Sequence, residues 1–363
     1  MSSNRDHKKK VAILIEADVE DAEFEVPYNA VKQAGMDVVV LGSRMSETYK
    51  GKRGKVSVKP DATTSEAIAA EFDAVIIPGG MAPDKMRCNR NTVRFVQEAM
   101  AQNKIVAAVC HGPQLLIEGD LLKGKKATGY MAIRKDMINA GANYIDEALV
   151  VDGNLITSRQ PGDLAVFSTA ILSRLGYGGK DVALPSERDK DAEWWKLADA
   201  WGGSTKGEIV KALNTALAGE KYSLEALEQY AQKESDSQIK SLFGEMIQNK
   251  GRHIQYLEAR LNQLGEKPSL TANIANQYAK VKTALTGSDD IFQLRSALGD
   301  VQTGIGDLSN LTPSTTDPIS TAIFAEIVKD LMMSEQRLVE LYRAKVGADM
   351  KPANPTTGAA VTM

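Results

Sequence analysis

The sequence predicts a doubly wound, mostly parallel α/β sheet followed by an all-α four-helix bundle. Between Val11 and about Gly176, short β-branched apolar runs alternate with amphipathic stretches, the rhythm of a parallel sheet with helices on both faces. After about Thr205 that rhythm stops, and apolar residues recur at helical spacing. The 363 residues also exceed the size at which one hydrophobic core usually stops growing, so two cores are expected.

The elements follow in order. VAILI (11–15), VVVL (38–41), AVIIP (74–78) and IVAAV (105–109) are near-continuous apolar runs bounded by turn residues, as buried strands should be. Helices are predicted for Glu20 to Ala34, closed by Gly35, for Glu66 to Phe72 and for Asn91 to Asn103. YKGKRGKVSVK (49–59) and ALVVDGNLITS (148–158) read as hairpins, the second turning at Asp152-Gly153. These elements make an α/β domain of residues 1–176. Residues 177–205 form a connector whose Trp194, Trp195 and Trp201 would be costly to leave in water, so it is expected to dock on its neighbours. The bundle occupies 206–346, with stripes such as Ile209, Leu213, Leu217 and Ile239, Phe243, Met246; its third stretch, 269–309, is interrupted at Gly287. The tail, 347–363, is expected to be disordered.

Composition narrows the function. A net charge of -3 with 25% charged residues offers no nucleic-acid surface. VAILI is too short for a membrane span or a signal-peptide core, so no membrane partner and a cytoplasmic location are expected. In that compartment Cys88 and Cys110 stay reduced. The only histidines are His7, His111 and His253, which nearly excludes mechanisms needing two histidines in one domain.

The stretch AAVCHGPQ (107–114) ends a strand on Cys110 and enters an amphipathic segment through a tight turn. That is the setting of a nucleophile elbow, where neighbours must be small, as Ala108 and Gly112 are. The helix N-terminus is expected to lower the thiol pKa and favour thiolate.

The flanking motifs ADVEDAEFEVPY (17–28), FDAVIIPGGMAPD (72–84), VCHGPQLLI (109–117), DMINAGA (136–142) and VVDGNLITSRQPGDL (150–164) together resemble the PfpI/ThiJ family. The resemblance covers nearly half the chain and implies a flavodoxin-like, class I glutamine amidotransferase-like fold. It makes Cys110 the nucleophile, Glu20 a protonated carboxyl hydrogen-bonded to it, and His111 the general base or orienter. Asp84 takes the place of a third, acidic triad member supplied by the neighbouring subunit, which implies at least a homodimer. The backbone of Gly80 and His111 matches the oxyanion-hole donors, and Tyr130 matches a pocket tyrosine. Cys88 matches no catalytic position and is read as a bystander.

The bundle resembles a ferritin-like domain by architecture. A di-iron site would need a Glu from each of two helices and Glu-x-x-His from each of the others. Glu220, His253 and Glu335 lie on core stripes, but Lys250 stands where a Glu should precede His253, and Leu338 where a second His should follow Glu335. No metal and no other cofactor is therefore expected, and the Lys250 ammonium is expected to replace the metal as counter-charge to Glu220 and Glu335.

The resulting expectation is a stress-related, cysteine-dependent enzyme acting on a small carbonyl substrate in glyoxalase or deglycase fashion, or on a peptide as a PfpI-type hydrolase. The alternatives are a redox sensor oxidised at Cys110, and an assembly module built around the bundle.

Overall fold

The computed structural model describes residues 8–177, 184–189, 191–269 and 290–346. The chain divides into two compact units, Met1–Ile209 with Thr312–Thr321, and Val210–Leu311 with Ala322–Met363.

The first unit is built on a seven-stranded sheet of β1 (Lys10–Leu14), β2 (Asp37–Gly42), β5 (Ala62–Thr63), β6 (Ala74–Ile77), β7 (Ile105–Val109), β10 (Leu149–Asp152) and β11 (Leu155–Ser158). Its order is β10-β11-β7-β6-β1-β2-β5. Every pairing is parallel except that of β10 with β11. The apolar runs read from sequence are the strands, and Val11 to Ile13, Ala74 to Ile77 and Val106 to Val109 are essentially inaccessible to water. Between them run α1 (Asp21–Gln33), α2 (Ala82–Met86), α3 (Arg90–Ala101), α4 (Pro113–Glu118), α5 (Arg134–Asn139) and α6 (Leu164–Arg174). The strands Tyr49–Lys50 and Ser57–Val58 (β3 and β4) close the first hairpin, and Lys126–Ala127 pairs with Asn143–Tyr144 (β8 and β9). Chain direction across the sheet reverses between β1 and β6, and the crevice beyond the strand ends at such a reversal is where open α/β sheets place their sites.

One predicted helix is absent. Residues 66–72 form only a 3-10 turn at Ala69–Glu71. The Glu66 carboxylate accepts from the Thr63 amide and hydroxyl, at 3.0 and 2.7 Å, as in a capping box, but so short a segment does not propagate beyond its first turn.

In the connector, Trp194–Ala200 forms α7. Trp201 joins the α/β core, where its carbonyl accepts from Asn29 at 3.0 Å. Trp194 packs on Ala165 and donates its indole N–H to the Asp189 carbonyl. The predicted positions around 178–183 lie outside the described residues.

Among the described residues the second unit contains α9 (Ser237–Gln263), α10 (Asp290–Leu311) and all but the first turn of α8 (Lys206–Lys233) and of α11 (Pro318–Val346). Leu213, Leu217, Phe243, Met246, Leu257, Leu294, Ile327, Leu331 and Leu338 form its buried stripes. Asp236 caps α9 by accepting from the Gln238 and Ile239 amides. The interruption predicted at Gly287 and the 347–363 tail lie outside the described residues. Among those described, no helix is long and apolar enough to cross a membrane.

Candidate active site

The site assembles where β1, β6 and β7 end. Cys110 follows β7 directly and takes φ 59°, a left-handed conformation unusual for a residue with a side chain. The turn is held on every side: the Cys110 amide donates to Ser158, its carbonyl accepts from Tyr130, and the Gly112 amide donates back to Val109. A Cβ on Gly112 would lie 2.5 Å from the Ile77 carbonyl, so only glycine lets the turn close on β6.

The thiol is 7% exposed. Its Sγ lies 3.3 Å from His111 Nδ1, and the imidazole stands 5.0 Å from the Tyr130 ring. Burial, with the nearby Lys52 ammonium, lowers the His111 pKa, so the ring is neutral and able to accept a proton. The Tyr130 phenol is pushed up, by burial first and then by Cys110 and Glu23.

The carboxyl beside the thiol is Glu23, which corrects the reading of Glu20. Glu23 lies one turn into α1 and is wholly buried; its Oε2 accepts from the Gly79 amide at 2.8 Å. Gly79 is glycine because a Cβ would lie 2.5 Å from that oxygen, 2.8 Å from the His111 nitrogen and 2.9 Å from Cys110 Cβ. Burial pushes the Glu23 carboxyl up to about 8, with the neighbouring Glu20 adding to the shift. Glu20 instead pairs with Arg53 Nε at 2.9 Å. Burial still raises its pKa, against the pull of Arg53 and Lys52.

The lowering of the Cys110 pKa expected from the helix N-terminus does not act alone. Burial and the Glu23 charge push the Cys110 thiol up, and the helix behind it is a single six-residue segment. Two acids that share a dry site do not both ionise. A protonated Glu23 removes the repelling charge, and its Oε1 is buried without a hydrogen-bond partner among the described residues. The pair therefore holds at least one proton near neutral pH.

Gly80 has φ 73°. Neither its amide nor that of His111 has a backbone acceptor among the described residues. Asp21, also buried, fastens the β3–β4 hairpin by accepting from the Arg53 and Val56 amides at 2.7 Å each. Through that hairpin Lys52 and Arg53 are brought to the site. Asp84 lies exposed in α2, and no hydrogen bond joins it to His111 of its own chain among the described residues. Cys88 is exposed, its Sγ 3.5 Å from the Asp84 carbonyl.

In the bundle, Glu220 and Lys250 form a buried ion pair at 2.8 Å. His253 Nδ1 lies 2.8 Å from the other Glu220 oxygen, and Nε2 lies 3.0 Å from Asp330 Oδ2, which Arg252 also reaches. Burial alone would raise the Glu220 pKa, but Lys250 and His253 bring it below the ordinary value. The expectation for Lys250 holds towards Glu220 and fails towards Glu335. Glu335 is only half-buried and accepts from Gln302 at 2.9 Å; the second carboxylate of the network is Asp330. Residues 330 and 335 flank the stripe of Ile327, Leu331 and Leu338 on its two sides, so helical spacing alone does not choose between them.

Residues 9–174 match the model of the DJ-1/PfpI family, and residues 208–303 match that of a domain of unknown function, DUF2383. The chain is 42% identical over 168 residues to general stress protein 18 of Bacillus subtilis. It is also 42% identical over 169 residues to protein/nucleic acid deglycase 2 of Escherichia coli. Each alignment spans 98% of the relative and 46% of this chain. A crystal structure of a two-domain protein from Anabaena variabilis, with DJ-1/ThiJ/PfpI-like and ferritin-like domains, is 74% identical. It superposes with a TM-score of 0.90 over 97% of this chain and 100% of its own.

Proposed function

Because the chain belongs to the DJ-1/PfpI family and carries a ferritin-like helical domain behind it, we propose that it is a cysteine-dependent enzyme acting on small reactive carbonyl compounds, with Cys110 as nucleophile. The observation that carries this reading is the strained Cys110 elbow, with a neutral imidazole at 3.3 Å and a buried carboxyl of high proton affinity behind it. Relatives named as deglycases add support.

In this mechanism the thiol proton passes to His111 Nδ1 as Sγ bonds to the aldehyde carbon, and the carbonyl π pair becomes an alkoxide. The Gly80 and His111 amides donate to that oxygen. The imidazolium then returns the proton to the alkoxide, which gives a hemithioacetal. Glu23 keeps its proton throughout and hydrogen-bonds the sulfur. Tyr130 closes one wall of the pocket beside the imidazole.

Asp84 orients His111 from a second copy of the chain, so the active form is at least a homodimer. The alternative is a sensor in which Cys110 is oxidised and no substrate turns over. Incubation of the full chain with methylglyoxal tests the proposal. Turnover that disappears in Cys110→Ser supports it. Absence of turnover, with rapid sulfenic acid formation at Cys110 under peroxide, would overturn it in favour of the sensor.

A further inference from the structure

The C-terminal unit contains a cavity of about 110 Å³ that the chemistry at Cys110 does not use. Its walls come from α8, α9 and α10 and are largely apolar, with Ala216, Leu308 and Leu311 among them. A protein cavity of about 150 Å³ holds benzene, with six non-hydrogen atoms, so this smaller but partly open one has room for a ligand of about five or six.

Four charged side chains line that space: Lys250 and Glu220, which pair with each other, and the carboxylates of Asp300 and Asp307. Lys250 is 3% exposed, and its ammonium has three N–H donors. Among the described residues its one hydrogen bond goes to Glu220 Oε1, and the other Glu220 oxygen is taken by His253. Asp300 is half-buried, and its Oδ2 accepts the Tyr230 hydroxyl at 2.9 Å. Its other oxygen has no donor, and neither oxygen pairs with a cation, among the described residues. Burial raises the Asp300 pKa, offset in part by the Tyr230 bond and by the Lys250 charge, which places the ammonium within electrostatic reach of the carboxylate. Asp307 adds a further carboxylate to the lining.

A buried ammonium with unused donors is unfavourable, and a half-buried carboxylate in the same lining has an oxygen free to accept. One ligand that carries both complementary groups satisfies both. We propose that the cavity binds a small zwitterion of amino-acid type, its carboxylate held by Lys250, its ammonium by Asp300, and its short aliphatic body against Ala216 and Leu308. A simple carboxylic acid would meet Lys250 but face Glu220, Asp300 and Asp307. A simple amine would meet those acids but face the Lys250 ammonium. This site stands independently of the reading of Cys110.

Calorimetric titration of the full chain with β-alanine, propionate and propylamine tests the proposal, since the three probes share a short aliphatic body and differ in charged ends. β-Alanine is expected to bind at least tenfold more tightly than either of the others. Lys250→Met is expected to weaken it at least tenfold. Should that variant fold poorly, Asp300→Asn retains an acceptor for Tyr230 and is expected to remove the preference for β-alanine over propionate. Equal binding of propylamine and β-alanine would overturn the proposal in favour of a cation site, and equal binding of propionate in favour of an anion site. No heat from any probe at millimolar concentration, or unchanged β-alanine affinity in Asp300→Asn, would overturn it outright.

Discussion

Glu23 and Glu220 are both withdrawn from water, at 0% and 3% exposure, yet their proton affinities move in opposite directions. Glu23 sits beside a thiol and another carboxylate, with a backbone amide as its hydrogen-bond donor, and rises to about 8. Glu220 sits between an ammonium and an imidazole and falls below its ordinary value. Burial alone does not distinguish a reactive group from a structural one; the counter-charge does. The first unit leaves an acid uncompensated next to the Cys110 thiol, and the second compensates its own acid with Lys250.

The largest effect expected is at Cys110 itself. Cys110→Ser should lower kcat/KM for methylglyoxal by on the order of a thousandfold, as loss of a covalent nucleophile does. Glu220→Gln should cost about 3–5 kcal/mol in urea unfolding at pH 7, because it leaves Lys250 and His253 without their shared anion. The Glu220 contribution is complete above the ordinary carboxyl pKa and is lost as pH falls through the lowered folded value.

Glu23→Gln should act with the opposite sign. The folded Glu23 carboxyl keeps its proton up to about pH 8, whereas an unfolded one loses it near 4.5. The folded chain therefore binds more protons in that window, and its stability falls as pH rises, by up to about 1.4 kcal/mol per pH unit. Gln removes that dependence, so thermal melts should show the variant gaining on the wild type from pH 5 to pH 8. Mixed Cys110→Ser and Asp84→Asn subunits should recover about a quarter of the sites if the acid comes from the partner of a randomly reassorted dimer, as a recovery assay would show. Glu335→Gln, at the half-buried edge of the bundle, should change stability by less than about 0.5 kcal/mol.

Much of this architecture is legible in the chain. The runs at 11, 38, 74 and 105 are β-branched and apolar on both faces, and nothing but a covered parallel strand suits them. Cys110 was legible because a strand, a small-residue turn and a helix leave one place for it. Glu23 was not, because Glu20 and Glu23 lie three residues apart and project within about 60° of each other on a helix. Which of them meets sulfur depends on Arg53, brought from a hairpin more than thirty residues on to claim Glu20. The available signal was the glycine pair at 79 and 80, since a carboxylate pressed against a backbone amide needs a neighbour without a Cβ. Asp330 was hidden for a related reason: it flanks the α11 stripe opposite Glu335, and only the position of His253 selects it.

In the proposed mechanism Glu23, not Glu20, holds the proton beside the Cys110 thiol. The pH dependence of kcat/KM for methylglyoxal in the wild type, Glu23→Gln and Glu20→Gln tests it most directly. The wild-type rate is expected to fall as pH rises through about 8, with a loss of about a hundredfold in Glu23→Gln and that limb displaced, and less than about a threefold change in Glu20→Gln. Retained activity and an unchanged limb in Glu23→Gln, with the loss falling on Glu20→Gln, would contradict it.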